Sequence, residues 1–260
     1  MKQARGYRIV PFSTNRRMAA ASASVCKEHN TIHGLAEVDI TEPRRLMSEH
    51  LERTGEKLSL TSYVVTCLSR AIAEHPHLNA FRRLGKLVLL DDVTIGALVE
   101  REIDDEKIPE PLGISAAQTK SLKQIHDEIR AAQQHDDDGL GGLSGTRWVR
   151  FIPSFLFRLF IRLASKSTYM VKRFGAVSVT AVGMFGGDTQ WFIPLSASTV
   201  TITIGGIVPR PMLLEGQLVE REHLCLTASF DHDIVDGAPA ARFMRRFSEL
   251  VRSGELLRDQ

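Results

Sequence analysis

The sequence predicts an α+β fold class. Alternating polar and apolar residues indicate strands over 34–40 and 224–230, whereas apolar residues at helical spacing indicate helices over 59–74 and 238–251. The 260 residues are 43% hydrophobic, which is enough to bury one full core. We therefore expect residues 1–260 to form a single domain.

Composition argues against several classes of protein. The formal net charge of +2, from 33 basic and 31 acidic residues, gives no electrostatic case for binding nucleic acid. Cys26, Cys67 and Cys225 are odd in number and set among apolar residues, so we expect reduced cysteines in a cytoplasmic protein. We expect no signal peptide, because the N-terminal residues lack a continuous apolar stretch, and no transmembrane helix, because no apolar span approaches about 20 residues. His29 and His33 flank a turn without a third ligand nearby, so we expect no metal.

The first half of the chain predicts alternating strands and helices. Ser13 or Thr14 could cap a first helix that runs through Lys27. The other predicted elements are a strand over 7–12, a strand over 34–40, a helix capped by Thr41, a helix over 59–74 that stops before Pro76, and paired strands over 86–90 and 93–99.

An amphipathic basic helix is predicted over about 148–166, after a flexible acidic and glycine-rich linker over 135–146. Arg158 and Arg162 lie opposite its apolar face. That face consists of Phe151, Ile152, Phe155, Leu156, Leu159, Phe160 and Leu163. Such a helix can pack on its own domain or another subunit, receive an anionic ligand, or lie at a membrane surface. Packing is the commonest of these roles and is the interpretation we favour.

Ten residues near the C-terminus, SFDHDIVDGA at 229–238, stand where a strand meets the last helix. His232 lies at this corner, and Asp236 and Gly237 follow four and five residues later. We expect the glycine to let the backbone turn tightly and the aspartate to anchor the corner through a cationic partner. On spacing alone, the motif also fits an ordinary polar loop. The last helix predicts one apolar face made by Phe243, Phe247, Leu250 and Val251.

The surrounding sequence resembles a known family. The stretches GGIVPRP and LVEREHLCLTASFDHDIVDGAPAARFMRRFSEL are similar to the end of the catalytic domain of the dihydrolipoyl acyltransferases of 2-oxo-acid dehydrogenase complexes. The resemblance runs from about Tyr7 to Arg252 and is weakest from Glu100 to Ser115, where substrate specificity would reside. It implies the coenzyme-A-dependent acyltransferase fold of chloramphenicol acetyltransferase, a central mixed sheet flanked by helices.

The resemblance also implies roles for four residues. His232 would be the general base, and Thr180, in GAVSVTAVGMFGG, would donate a hydrogen bond to the oxyanion. Asp236 would pair with Arg16 and hold the corner in shape. From the residues alone, Thr180 is an ordinary strand residue and Arg16 a solvated residue at a helix start. The asparagine that often follows the hydroxyl residue in the family is Ala181 here.

The activity implied by the resemblance is acyl transfer between coenzyme A and a thiol or other small acceptor, without a metal. No residue is assigned to coenzyme A binding. We expect a homotrimer, possibly within a larger assembly, with each active site between neighbouring subunits. The chain shows no lipoyl domain, so it would use a lipoyl domain in trans or, as we slightly favour, a free acceptor.

Two other functions fit the same resemblance. One is a non-catalytic trimeric scaffold, which the presence of both His232 and Thr180 argues against. The other is drug acetylation as in chloramphenicol acetyltransferase, whose motif has a second histidine where this chain has Asp231. Asp233 replaces an arginine that is common in the complex-bound enzymes, and we expect its carboxylate to point away from His232.

Overall fold

A six-stranded mixed sheet is the centre of the computed structural model, which describes residues 7–103, 106–134, 154–183 and 190–258. The strands are β1 Thr31–Asp39, β2 Ala80–Arg83, β3 Lys86–Leu89, β4 Ile95–Ile103, β5 Glu106–Ile114, β6 Val177–Ala181, β7 Val200–Leu214 and β8 Gln217–Asp231. The helices are α1 Thr14–Cys26, α2 Thr41–Thr54, α3 Leu60–Ala73, α4 Leu122–Gln134, α5 Ser154–Ala164, α6 Thr168–Phe174, α7 Gly237–Ser253 and α8 Glu255–Arg258.

The strand order in the main sheet is β1-β8-β7-β6-β4-β5. Strand β6 runs parallel to both of its neighbours, and the other pairs are antiparallel. A separate two-stranded sheet joins β2 and β3. The predicted α+β class and the mixed central sheet are therefore confirmed.

Helices α3 and α7 bury their apolar faces in the main core. Ser59 begins α3 by accepting a hydrogen bond from the Ser62 backbone N–H, and the helix ends before Pro76, as predicted. The Tyr63 hydroxyl joins the two helices by donating to the backbone carbonyls of α7. The four residues predicted to form the apolar face of the last helix, Phe243, Phe247, Leu250 and Val251, are all buried.

The predicted strand over 7–12 is wrong. Residues 7–13 are irregular, and Tyr7, Ile9, Val10 and Phe12 are exposed. A strand needs a neighbouring backbone for its N–H and C=O groups, and none pairs with this segment among the described residues. Residues 7–12 have the apolar pattern of a strand, but no second strand pairs with them among the described residues, so they do not form one.

The predicted pairing of strands 86–90 and 93–99 is also wrong. Strand β3 turns back to β2, whereas β4 enters the main sheet. The cause is the two-residue turn at Leu84 and Gly85, where both backbone φ angles are positive, 48° and 73°. Two positive φ angles in sequence are typical of the tight turn that closes an antiparallel hairpin.

Helix α5 packs against α1 and forms a small core of its own. Its Phe157 and Ile161 contact Met18 and Ala21 of α1. The predicted linker over 135–146 and the start of the predicted basic helix lie outside the described residues. In the part of the chain that the structure describes, no helix combines the length and the apolar character needed to span a bilayer.

Candidate active site

The histidine corner begins where β8 ends at Asp231. The backbone N–H of His232 donates to the carbonyl of Asn30 at 2.7 Å. The N–H groups of Ile234 and Val235 donate to the Asp231 carbonyl at 3.0 and 2.9 Å, which closes a turn before α7 starts. The backbone around His232 is therefore fixed while its side chain, 44% exposed, stays open to a substrate.

Asp231 is buried directly beneath this corner. Its Oδ2 atom lies 2.8 Å from Nδ1 of His29, and its Oδ1 atom accepts the backbone N–H of Asp233 at 3.1 Å. Burial alone would raise the pKa of Asp231, but the hydrogen bonds from His29 and Asp233 and the charge of Arg82 lower it below its usual value. The carboxylate is therefore ionised at neutral pH and holds β1 and β8 together at the site.

The Asp233 carboxylate faces away from the imidazole of its neighbour, as expected from the sequence. Its Oδ1 atom accepts a hydrogen bond from the Asn30 side chain at 2.9 Å, and its Oδ2 atom lies 2.8 Å from Nη1 of Arg82. These two contacts connect the corner to the turn before β1 and to the β2–β3 hairpin. Asp233 is thus a structural residue of the loop.

Asp236 is the residue before the first turn of α7, and its side chain is 85% exposed. Its Oδ1 atom lies 3.7 Å from Nδ1 of His232, beyond hydrogen-bonding distance. Arg16 is exposed in the first turn of α1. Both residues are described, and no ion pair joins them within one chain, so their predicted pairing stays a prediction for an assembled oligomer.

The role predicted for Gly237 is wrong. This residue does not adopt a positive φ, and it is the first residue of α7. A Cβ atom there would meet no other atom within 4 Å. Gly237 also lines a cavity of about 480 Å³ between β1 and α7, together with His33, Ala240 and Met244. The turn therefore does not require a glycine at this position.

Thr180 lies on β6, and its side chain is partly exposed. In the sheet it is in register with Thr203 on β7 and, through it, with Thr227 on β8. Thr227 precedes Asp231 by four residues, or about 13 Å of strand. Thr180 is two strands further across the sheet, so it and His232 of the same chain lie on the order of 15 Å apart.

The sheet face that carries Thr180 is rich in polar groups. Ser178 and Thr201 share a hydrogen bond of 2.8 Å, and Ser196 contacts the same Thr201 hydroxyl. Ser229 is in register with Thr201 across the sheet, and its hydroxyl lies 2.8 Å from Nδ1 of His33. The hydroxyls of Thr203 and Thr227 are buried without a hydrogen-bond partner among the described residues. This face is therefore chemically distinct from the opposite one, which forms the apolar core.

Nδ1 of His29 contacts Asp231 and Nδ1 of His33 contacts Ser229. Among the described residues, one group of three potential ligands does come together, namely Glu56, His126 and Asp127. The ammonium of Lys123 lies 2.5 Å from Glu56 and 3.6 Å from Asp127. The Lys123 ammonium thus already neutralises the carboxylate charge that would attract a metal cation to this group.

The sequence did not reveal the residues that support the corner, His29, Asn30, Arg82 and Asp231. His29 and Asp231 are 202 positions apart, and they meet because β1 and β8 pair with Thr31 opposite Asp231. The only local signal was a buried-strand aspartate directly before His232. Strand pairing had to be known before the histidine could be recognised as its partner.

Comparisons with known proteins were made for the whole chain. The family described as 2-oxoacid dehydrogenases acyltransferase (catalytic domain) matches residues 4–141 and 171–258. The dihydrolipoyllysine-residue acetyltransferase component of the pyruvate dehydrogenase complex of Staphylococcus epidermidis is 27% identical over 250 residues, which cover 93% of this chain and 50% of that protein. The chain thus spans about half the length of the curated relatives it matches.

Two solved structures are similar in fold. The cubic core of the pyruvate dehydrogenase multienzyme complex has a TM-score of 0.72 at 19% identity and covers 98% of this chain and 95% of its own. A chloramphenicol acetyltransferase has a TM-score of 0.50 at 11% identity and covers 94% of this chain and 99% of its own. The predicted similarity to the fold of chloramphenicol acetyltransferase is therefore confirmed.

Proposed function

Because this chain belongs to the family of 2-oxoacid dehydrogenase acyltransferase catalytic domains, we propose that it moves an acyl group between coenzyme A and a second thiol, or another small acceptor. The observation that carries the proposal is the histidine corner. Backbone hydrogen bonds hold the chain before and after His232, while its imidazole remains accessible to solvent.

His232 acts as the general base in this proposal. Nδ1 of the ring faces Asp236, and Nε2 has no hydrogen-bond partner among the described residues. The free nitrogen takes the proton from the acceptor thiol, and the sulfur forms a bond to the acyl carbonyl carbon. The tetrahedral intermediate then expels the first thiol, which leaves with the proton from the imidazolium. Such a base typically accelerates a reaction by about 10²- to 10⁴-fold.

Thr180 supplies the oxyanion donor. Its hydroxyl would donate a hydrogen bond to the carbonyl oxygen as negative charge develops there, a contribution of about 3 kcal/mol in comparable sites. Since Thr180 and His232 are far apart in one chain, they act together only if they come from neighbouring copies. We therefore include a homotrimer in the proposal, with His232 of one copy facing Thr180 of the next.

Arg16 and Asp236 complete the site in the same assembly. Both side chains are exposed in one chain, so they are available to a neighbouring subunit. A guanidinium held against Asp236 would position the carboxylate beside His232 and would favour the imidazolium that forms during transfer.

The acceptor is either a lipoyl group on another protein or a free small molecule. Acyl-coenzyme A is the other substrate in both cases. An assay with and without dihydrolipoamide separates the two acceptors directly.

The test is thiol release from a panel of short acyl-coenzyme A thioesters, measured with and without dihydrolipoamide. We expect acceptor-dependent turnover that His232→Ala reduces by about 10²-fold or more. His77→Ala, which removes an exposed imidazole elsewhere, is the matched control and should behave as wild type. If folded, trimeric protein binds no coenzyme A and turns over no thioester, the chain is a scaffold and the proposal fails.

A further inference from the structure

Helix α5 exposes a continuous apolar surface to solvent. Phe155, Leu156, Leu159, Phe160 and Leu163 form this exposed α5 face, and each side chain is between 42% and 63% exposed. The helix is held to the protein by its other side, where Phe157 is buried against α1. The apolar face therefore does not pack on its own domain within one chain, and contact with another subunit stays a prediction. Large clustered apolar patches of this kind usually mark an interaction site.

Basic residues are concentrated in the segment that carries the exposed α5 face. Residues 154–174 contain five basic side chains, Arg158, Arg162, Lys166, Lys172 and Arg173, and no acidic one. Because the whole chain has a formal charge of +2, the rest of it carries −3. On the helix, Arg158 and Arg162 lie along one border between the exposed side and the buried side, and both are exposed. Arg162 also contacts Glu28, two residues beyond the end of α1, at 2.9 Å, which fixes its position at this border.

The exposed α5 face lies outside the residues that match the family. The match stops at residue 141 and resumes at residue 171, so it omits all of α5. The family match therefore does not account for the exposed α5 face.

We propose that the exposed α5 face docks the protein on a membrane surface rich in anionic phospholipid. The aromatic and leucine side chains would enter the boundary between headgroups and acyl chains, and the arginines at the border would reach the phosphates. Charge favours this occupant over the same face of a second copy, because two such faces in contact would bring their arginines and lysines together without any carboxylate from the same segment. A head-to-tail contact with a different surface of a second copy is an outcome that the test separates.

Vesicle sedimentation tests the proposal without using acyl transfer as a readout. Vesicles of phosphatidylcholine alone are compared with vesicles that also contain phosphatidylglycerol. We expect about ten-fold or greater enrichment of the protein on the anionic vesicles, weakened by added salt. The double variant Leu159→Ser and Leu163→Ser should lose this enrichment, and Arg158→Glu should reduce it.

The control variant replaces Leu213 and Leu218 with serine. These two leucines are exposed by 71% and 75% near the end of the long β7–β8 hairpin, where no basic cluster surrounds them. The control should bind vesicles as wild type does, and thermal unfolding should show that all variants fold. Equal binding to both kinds of vesicle, no binding, or equal loss in the control would overturn the proposal. A smaller oligomer in the α5 variant, without vesicle binding by wild type, would show that a second copy covers this face.

Discussion

Asp231 and His232 are adjacent in the chain, yet the structure gives them opposite environments. Asp231 is buried and held by His29 and by the backbone of Asp233, whereas the imidazole of His232 is open to solvent. An ionised buried carboxylate is stable only while its partners stay in place. The rigidity of the corner therefore depends on Asp231, although the reactive group in the proposal is its neighbour.

Replacing Asp231 with asparagine should destabilise the protein at neutral pH. The change removes a charge-assisted hydrogen bond with His29, so we expect the free energy of unfolding to fall by about 1–3 kcal/mol. The pKa of Asp231 is lower in the folded state than in the unfolded state. The ionised carboxylate therefore contributes fully to the free energy of unfolding above the unfolded pKa of about 3.9, and this contribution is lost as the pH falls through the folded pKa.

Urea unfolding between about pH 3 and pH 7 measures this effect. Wild type should lose stability toward acid more steeply than Asp231→Asn, and the two curves should converge at low pH. Asp127→Asn, which removes a carboxylate that is largely exposed, is the control. Parallel curves for wild type and Asp231→Asn would contradict the role of the His29–Asp231 contact.

Gly237 makes a different prediction, because nothing near it excludes a side chain. We expect Gly237→Ala to fold with unchanged or slightly higher stability, since alanine is favoured over glycine in a helix by up to about 1 kcal/mol. The added methyl group lies at a residue that lines the cavity between β1 and α7. If substrate uses that cavity, the KM of one substrate rises by about ten-fold.

Steady-state kinetics with each substrate varied in turn checks this expectation. Ala238→Ser, at the next and exposed position, changes the same helix turn without entering the cavity. An unchanged KM for both substrates in Gly237→Ala would show that the cavity is not part of the substrate path.

At the scale of elements, the sequence predicted the elements whose signals are local. Helix α3 combined an apolar period with Ser59 as its cap and Pro76 beyond its end, and the face of α7 followed from its 3.6-residue period. Strand β8 was predicted in part from alternation over 224–230, although it extends further than the pattern did. The pairing of strands depends on residues distant in sequence, so the role of β3 was missed.

The residues of the candidate site also divide into those with a local sequence signal and those brought in by distant pairing. His232 and Asp236 could be selected because they stand in a short motif between a strand and a helix, whereas Thr180 was selected through the resemblance to the family. His29 and Arg82 could not, because they reach the corner only through the pairing of β1 with β8 and through the β2–β3 hairpin. The exposed α5 face was visible as a pattern, but its exposure depends on how α5 packs on α1.

The β2–β3 turn offers a prediction on element stability. Leu84 is 90% exposed and has a φ of 48°, a conformation that asparagine adopts more easily than leucine. We expect Leu84→Asn to raise the free energy of unfolding by up to about 1 kcal/mol, and Gly85→Ala, at a φ of 73°, to lower it by about the same or more. Urea unfolding of both variants checks the pair, and a loss of stability in Leu84→Asn would contradict it.

At the scale of the whole molecule, the sheet separates two kinds of chemistry. One face forms the apolar core with α3 and α7, and the other carries the hydroxyl and imidazole side chains of β1, β6, β7 and β8. Thr180 lies toward one end of this polar face and His232 at the other. In the proposed function, a single chain therefore contains two half-sites, and each would need the opposite half from another copy.

Mixing two inactive variants tests this arrangement. We expect His232→Ala and Thr180→Ala each to reduce the acyl-transfer activity by about 10²-fold or more. When the two are unfolded together and reassembled in equal amounts, random trimers place an intact His232 against an intact Thr180 in about a quarter of the sites, because a head-to-tail interface joins unlike surfaces. We expect activity to recover to about a quarter of the wild-type value.

The control is the same mixing of His232→Ala with wild type. Under the same random assembly it should retain about half of the wild-type activity, because half of the sites still receive an intact histidine. Size measurement and mass spectrometry of differently tagged copies establish that mixed trimers form. If mixed trimers are present and the two inactive variants stay inactive together, His232 and Thr180 do not act across neighbouring copies. Recovery in that experiment would instead assign the catalytic site to the interface, because no single chain in the mixture holds both residues.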